Sequence, residues 1–144
     1  MVLGETTFRR IAMLAVLSEL NAGQPAEILH MALVRARFCE LAAAIGHLDA
    51  DEQYMLGMLS LLPAMLRQPM EILVPELPLR PELGKALLGE TVPERCLLAW
   101  IEFHERNEIS KSHAIADTYD LNPQRLEQFY VDAIVWETLA AATA

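Results

Sequence analysis

The chain has 144 residues and is 53% hydrophobic, a composition typical of a globular protein and not of a disordered one. A domain of this length buries about two thirds of its unfolded surface, so we expect a sizeable hydrophobic core. The net charge of −9 argues against a nucleic-acid partner, because phosphate binding requires clustered Lys and Arg. The scattered acidic residues predict a solvated surface.

Neither a signal peptide nor a membrane span is evident in the sequence. No uncharged apolar run reaches the roughly eighteen residues that a membrane-spanning helix needs. Cys39 and Cys96 lie in apolar helical patterns without CxxC or Cys/His spacing, which favours small core residues over metal ligands or a disulfide. These features predict a cytoplasmic protein with no membrane partner.

Helix signals occur along the whole chain. The first predicted helix covers residues 6–21, with Thr6 or Thr7 as its N-cap. The second covers residues 25–46, opened by Pro25 and closed by Gly46 at a left-handed C-cap position. Because this second helix is apolar around nearly its whole circumference, we expect it to run through the middle of a bundle.

Shorter helical segments follow. Asp49 and Glu52 have capping-box spacing, and Asn122-Pro123 supplies an N-cap and a first-turn proline. The predicted segments cover residues 52–62, 64–67, 70–77, 81–88, 93–107, 110–119 and 124–141. Outside a prolyl segment no stretch alternates with the period of a strand. The predicted fold class is all-α, a multi-helix bundle without a sheet, in one domain of residues 1–144 with a soft break near residues 90–92.

Two arginines on the second helix need partners. Arg35 and Arg37 are two positions apart and cannot face the same side, and Arg37 has Glu40 within reach. Arg35 is flanked by apolar residues, so its guanidinium must extend to solvent or meet a carboxylate from another helix. An internal ion pair is the expectation and ligand binding the alternative. The candidate partners are Glu52, Glu76 and Glu102.

Methionines form a second group of interest. Met55, Met58 and Met65, together with Met70, make a flexible apolar cluster that could receive a partner helix. Filling gaps in the core is the commoner role for such residues. The candidate interaction residues are Arg35, Arg37, Glu40, Met55, Met58 and Met65.

Several segments together resemble the HDOD domain of bacterial signalling proteins. They read ALVRARFCELAAAIG, MLGMLSLLPAML, MEILVPELPL and KALLGE. The resemblance is nearest to the form that follows an EAL-type cyclic-di-GMP phosphodiesterase domain, and it extends from Leu3-Gly4 to Tyr130. It implies a fold related to the HD-domain superfamily, a link to cyclic-di-GMP signalling and an EAL domain in the same polypeptide as a partner. It also implies that helices preceding Leu3 in the family are missing here.

Enzymes of the HD superfamily carry an adjacent His-Asp pair at a helix end, which shares a metal pair that activates water against a phosphodiester. At the matching place this chain has Ser60 and Leu61. Leu cannot ligate a metal, so the resemblance implies that the central ligands are missing. His30 lies near an earlier ligand position of such enzymes, but a lone His on an apolar helix is more commonly a packed residue.

Other catalytic motifs are absent from the sequence. It contains no GxSxG elbow, no GxxxxGK[ST] loop and no GxGxxG loop, and neither cysteine has an activating His nearby. His113 and Asp117 have a spacing that could suit a metal, although an exposed i, i+4 pair is the commoner explanation. The sequence therefore predicts no enzyme, no metal site and no cofactor.

The resulting prediction is a non-catalytic regulatory module that acts through protein contacts in bacterial signal transduction. Self-association is a further expectation, because a face that the missing helices would cover is left exposed. The alternative is a degenerate HD-type metal-dependent phosphohydrolase that uses His30, His104 or His113.

Overall fold

The structure is a computed structural model that describes residues 26–143. Within this range every regular element is helical, which confirms the all-α class. The α-helices are α1 (Ala26–Ala42), α2 (Ala50–Leu59), α3 (Leu62–Leu66), α4 (Met70–Leu73), α5 (Pro81–Leu87), α6 (Cys96–Glu105), α7 (Ile109–Thr118) and α8 (Pro123–Thr143). Short 3-10 turns cover Ala43–Gly46, Val74–Glu76 and Pro93–Arg95. The helix predicted over residues 6–21 lies outside the described residues.

The end of α1 differs from the prediction. The α-helix stops at Ala42 and tightens into the 3-10 turn, and the left-handed residue is His47, with φ of 56°, and not Gly46. The backbone N–H of His47 donates to the carbonyl of Ala44 at 3.2 Å, and that of Leu48 donates to Ala43 at 2.9 Å. The predicted C-cap at Gly46 is thus wrong by one residue, because the tighter last turn moves the chain reversal beyond the glycine.

Local capping signals are confirmed. The Asp49 side chain accepts the backbone N–H of Glu52 at 2.9 Å, which starts α2. The side-chain oxygen of Asn122 accepts the N–H groups of Gln124 at 3.0 Å and Arg125 at 3.2 Å, and Pro123 is the first residue of α8. These side chains satisfy backbone donors that have no partner within a helix.

The α1 helix lies in the core, as predicted. Its fully buried residues are Ala32, Ala36, Phe38, Cys39 and Ala42. It crosses α2 so closely that a Cβ atom built on Gly57 would lie 2.5 Å from the carbonyl oxygen of Arg35. Only glycine, which has no Cβ, permits this approach.

Aromatic side chains join α1 to α6 and α8. The Phe38 ring stacks on Trp100 with centroids 5.1 Å apart, and Tyr130 meets both rings edge-on at 6.5 Å. Buried residues on both sides of the loop around residues 90–92 belong to one hydrophobic cluster. Cys39 and Cys96 are free and buried in that cluster, which confirms their role as core residues. The prediction of a single domain itself stays a prediction.

The apolar spacing of residues 124–141 predicts a core face made of Leu126, Phe129, Tyr130, Ala133, Ile134 and Trp136 or Leu139. The structure contradicts part of this prediction. Leu126 and Ala133 are fully buried, but Ile134 and Leu139 are 39% and 63% exposed. Leu139 thus lies outside the core of residues 26–143, and Ile134 lies at its edge beside Met31 of α1. None of the helices that the structure describes is long and apolar enough to cross a membrane.

Candidate functional site

Arg35 lies at the centre of a buried polar cluster between α1, α2 and α6. Its side chain is 10% exposed, and its Nη2 lies 2.6 Å from Oε1 of Glu105. Its Nε donates to both carboxylate oxygens of Glu105 at 3.2 Å, and its Nη1 lies 3.4 Å from Oε2 of Glu102. The expected internal ion pair is therefore present. Of the three predicted partners only Glu102 contributes, and Glu105 makes the closer contact.

Ser60 stands at the position where the resemblance places the histidine of the HD pair. Its hydroxyl accepts a hydrogen bond from Nη1 of Arg35 at 3.0 Å and donates to the carbonyl of Gly57 at 2.6 Å. The hydroxyl proton is thus held by a backbone carbonyl. Ser60 has no base that would make it a nucleophile among the residues hydrogen-bonded to it.

A second arginine extends the cluster toward α5. Arg95 donates from Nη2 to Oε1 of Glu102 at 2.7 Å and from Nη1 to the carbonyl of Ala86 at 2.7 Å. Glu102 and Glu105, three residues apart on α6, therefore face two guanidinium groups, one from α1 and one from the 3-10 turn that precedes α6. The spacing of these glutamates was the sequence signal for the missed partner, since residues at i and i+3 share one helix face.

The four charges of this cluster are balanced. Two arginines meet two glutamates, so desolvation of each charge is offset by an opposite charge and by hydrogen bonds. Burial raises the pKa of the neighbouring Cys39 thiol well above its usual range, although the positive charge of Arg35 acts in the opposite direction. The thiol therefore remains protonated at neutral pH and is not an activated nucleophile. The arrangement fixes the relative positions of α1, α2 and α6.

Arg37 and Glu40 form a separate contact at the outer edge of α1. Nη1 of Arg37 lies 2.9 Å from Oε1 of Glu40, and its guanidinium carbon lies 5.4 Å from the ring centroid of Trp136 on α8. The two candidate arginines are thus not brought together. Arg37 instead links α1 to α8 through a cation–π contact.

The candidate methionines lie in or against the core. Met58 and Met65 are 0% and 3% exposed, and Met55 is partly buried against the same cluster. They therefore belong to the packed core of the bundle. Their proposed role as a docking surface for a partner helix stays a prediction.

The histidines are dispersed. His30 pairs through Nδ1 with the buried carboxylate of Glu137, while His104 stacks on Trp100 with ring centroids 4.7 Å apart. His113 is exposed on α7. Within residues 26–143 no three His, Cys, Asp or Glu side chains are grouped in a way that could hold a metal ion. The prediction of no metal site stays a prediction.

Comparison with known proteins gives two similar sequences. The chain is 33% identical over 129 residues to the cyclic di-GMP phosphodiesterase CdgJ of Vibrio cholerae, which covers 87% of this chain and 30% of that protein. It is 32% identical over 111 residues to the uncharacterized protein YuxH of Bacillus subtilis, which covers 76% of this chain and 27% of that protein. No family model and no solved structure matches the chain. The chain thus spans less than a third of the length of these relatives.

One sequence prediction is contradicted by this comparison. The absence of catalytic motifs predicted that the chain is not an enzyme, whereas the Vibrio relative is named as a phosphodiesterase. Motif searches miss an activity whose residues are spread over a longer polypeptide, and this chain matches only part of one.

Proposed function

We propose that the chain acts in cyclic-di-GMP signalling as a regulatory segment of a phosphodiesterase similar to CdgJ, through contacts with protein. The observation that carries this proposal is the 33% identity over 129 residues to that enzyme. The HDOD-like segments of the sequence support the same assignment and suggest that an EAL domain of the same polypeptide is one partner. Cytoplasmic location is part of the proposal.

An exposed apolar surface on α8 supports a role in protein contacts. Val131, Ile134, Val135 and Leu139 are between 39% and 63% exposed. Val131, Val135 and Leu139 follow at intervals of four residues and Ile134 lies three residues after Val131, so they form one stripe along the helix. Met31 of α1 is 40% exposed and lines a cavity together with Ile134. Contiguous apolar surface of this kind is typical of interaction sites.

The occupant that we propose for this α8 stripe is a second copy of the chain. If two α8 helices cross antiparallel about Val135, Val131 of one copy lies opposite Leu139 of the other. Asp132 then lies opposite Thr138, and residues 138–143 carry no charge, so no acidic residues oppose one another. The stripe is thus self-complementary, as a twofold interface requires.

Light scattering tests this self-association. We expect the average mass to rise from the monomer value of 16.1 kDa toward twice that value over a tenfold range of concentration. Val135→Asp should keep the chain monomeric, because the charge would be buried at the centre of the interface. Ile72→Asp is the matched control, since Ile72 is 58% exposed on α4, away from the stripe. A monomer at all concentrations would refute the interface.

The regulatory role is tested on a phosphodiesterase that the chain captures. The chain is used as bait in a native lysate, and hydrolysis of cyclic di-GMP by the captured protein is measured with and without added chain. We expect capture of a cyclic-di-GMP phosphodiesterase and a changed rate of hydrolysis on addition of the chain. An unchanged rate, or capture of proteins without this activity, would contradict the proposal.

A second candidate function is hydrolysis of a phosphodiester by the chain itself, as in the degenerate HD-type alternative. The name of the Vibrio relative favours it. Purified chain is incubated with cyclic di-GMP and Mg²⁺ or Mn²⁺, and linear dinucleotide is measured by chromatography. Product that disappears in His30→Gln but persists in His113→Gln would support this candidate, and no product from the unaltered chain would refute it.

A further inference from the structure

A cavity of about 260 Å³ lies between α6, α7 and the loop that precedes α6. It is separate from the α8 stripe. Its lining combines apolar, aromatic and cationic side chains with one carboxylate, that of Glu102. The other lining residues used below are Thr91, Arg95, Phe103, Arg106, Ile115 and Tyr119. A cavity of about 150 Å³ is enough to hold a benzene ring, so this one has room for a ring and a small substituent.

The cationic part of the lining is unusual for so acidic a chain. The guanidinium of Arg106 contacts the backbone carbonyl of Glu102, with Nε 3.3 Å from the oxygen, and the ring of Phe103, 5.6 Å from its centroid. In the part of the chain that the structure describes, no carboxylate pairs with Arg106. Arg80, by contrast, meets three carboxylates. Arg106 therefore has donors left for a ligand at the mouth of the cavity.

A second cation reinforces this region. Nζ of Lys111 lies 5.7 Å from the centroid of the same Phe103 ring, although it also pairs with Glu108 at 3.1 Å. Two cations against one ring create a positive potential beside the cavity, while the overall charge of the chain is −9. Arg95, Arg106 and Lys111 against Glu102 and Glu108 give three positive and two negative charges in and beside the cavity, a local net charge of +1.

We propose that this cavity binds a small organic anion with a flat or branched apolar body. The carboxylate or phosphate head meets Arg106, with the Thr91 hydroxyl as a second donor, and the body packs against Phe103, Ile115 and Tyr119. Charge-assisted hydrogen bonds to an arginine fix the head, while apolar contacts provide the larger part of the buried surface.

The site is directly connected to the buried cluster around Arg35. Arg95 and Glu102 line the cavity, and Glu102 also accepts hydrogen bonds from Arg35 and Arg95. An anion that draws Arg95 toward the cavity would weaken its bond to Glu102. A bound anion would therefore change the contact between α6 and α1.

Thermal unfolding of the chain with simple probes tests the binding site. Benzoate and phenyl phosphate carry both a ring and an anionic head, benzyl alcohol lacks the charge, and inorganic phosphate lacks the ring. We expect at least one aromatic anion to raise the melting temperature saturably by several degrees, with little effect of the other two compounds. Whichever of the two aromatic anions binds shows whether the head group is a carboxylate or a phosphate. No shift with either aromatic anion, or an equal shift with inorganic phosphate, would overturn the proposal.

Two variants test whether the anion binds at Arg106. Arg106→Gln should weaken the affinity for the effective probe at least tenfold in calorimetric titration. Arg125→Gln is the matched control, because Arg125 lies over the Phe129 ring at 5.3 Å in the same kind of cation–π contact, but on α8. Unchanged affinity in Arg106→Gln, or an equal loss in both variants, would show that the anion binds elsewhere and would overturn the assignment.

Discussion

Arg35 and Glu105 are 70 residues apart in the sequence, yet Nη2 of Arg35 lies 2.6 Å from Oε1 of Glu105. The pair joins the central helix α1 to α6 inside the bundle. Both side chains are at least 83% buried, so each charge has little access to water as an alternative partner. Removal of Arg35 leaves the largely buried Glu105 carboxylate without the cation that it pairs with.

Arg35→Met should therefore lower the free energy of unfolding by about 3–5 kcal/mol. Arg80→Met is the control, because Arg80 also contacts glutamates but is 42% exposed, and should cost about 0–1 kcal/mol. Urea denaturation measures both. The double variant Arg35→Met/Glu105→Gln should cost less than the sum of its single changes, since no unpaired charge remains. Equal losses for Arg35→Met and Arg80→Met would contradict this account.

Gly57→Ala should destabilise the crossing of α1 and α2. The added Cβ would lie 2.5 Å from the carbonyl oxygen of Arg35 and 2.7 Å from the backbone N of Ala36, so the two helices would have to separate. We expect a loss of about 3 kcal/mol or more in the free energy of unfolding. Gly84→Ala is the matched helical control, because its Cβ would meet only the Val74 side chain, at 3.1 Å. A loss in Gly57→Ala no greater than in Gly84→Ala would refute the close crossing.

Alkaline pH should destabilise the fold. Burial raises the pKa of Cys96 from 9.0 to about 11, so between these values the folded chain holds a proton that the unfolded chain releases. Stability is therefore fully present below pH 9 and falls as pH rises to 11, by on the order of 3 kcal/mol from this thiol. Burial also raises the pKa of the Cys39 thiol, which adds to the fall above pH 9, and that of Tyr130, which adds to the fall above pH 10.

Urea unfolding at pH 8, 9 and 10 measures this dependence. Cys96→Ala should show a shallower fall of the free energy of unfolding with pH than the unaltered chain, whatever its stability at pH 8. An identical pH dependence in the two proteins would show that Cys96 is not the group responsible.

The two helix N-caps should contribute similar stability. Asp49→Ala and Asn122→Ala each remove a side-chain acceptor from the first turn of a helix and should cost about 1 kcal/mol in urea unfolding. Asp49→Asn and Asn122→Asp keep the acceptor and are the controls. If the alanine and the conservative variants were equally stable, the caps would contribute nothing.

Local features of the sequence determined the helices and their starts. Asp49 and Asn122-Pro123 were recognisable because capping depends on residues within one turn of the helix. The absence of strand periodicity gave the all-α class, and the apolar circumference of α1 gave its central position. An internal ion pair of Arg35 was also expected from the sequence, since an arginine among apolar neighbours must reach either solvent or a carboxylate of another helix.

The tertiary structure decided which groups meet. Glu105 pairs with Arg35 while Glu52, a predicted candidate, pairs with Arg80 instead. The sequence also could not show which face of α8 is buried. Ile134 and Leu139 continue the apolar pattern of the helix, and yet both are exposed in the structure. A sequence specifies the faces of its helices through short-range spacing, but the contacts between faces depend on how all the helices pack, and that is a property of the whole chain.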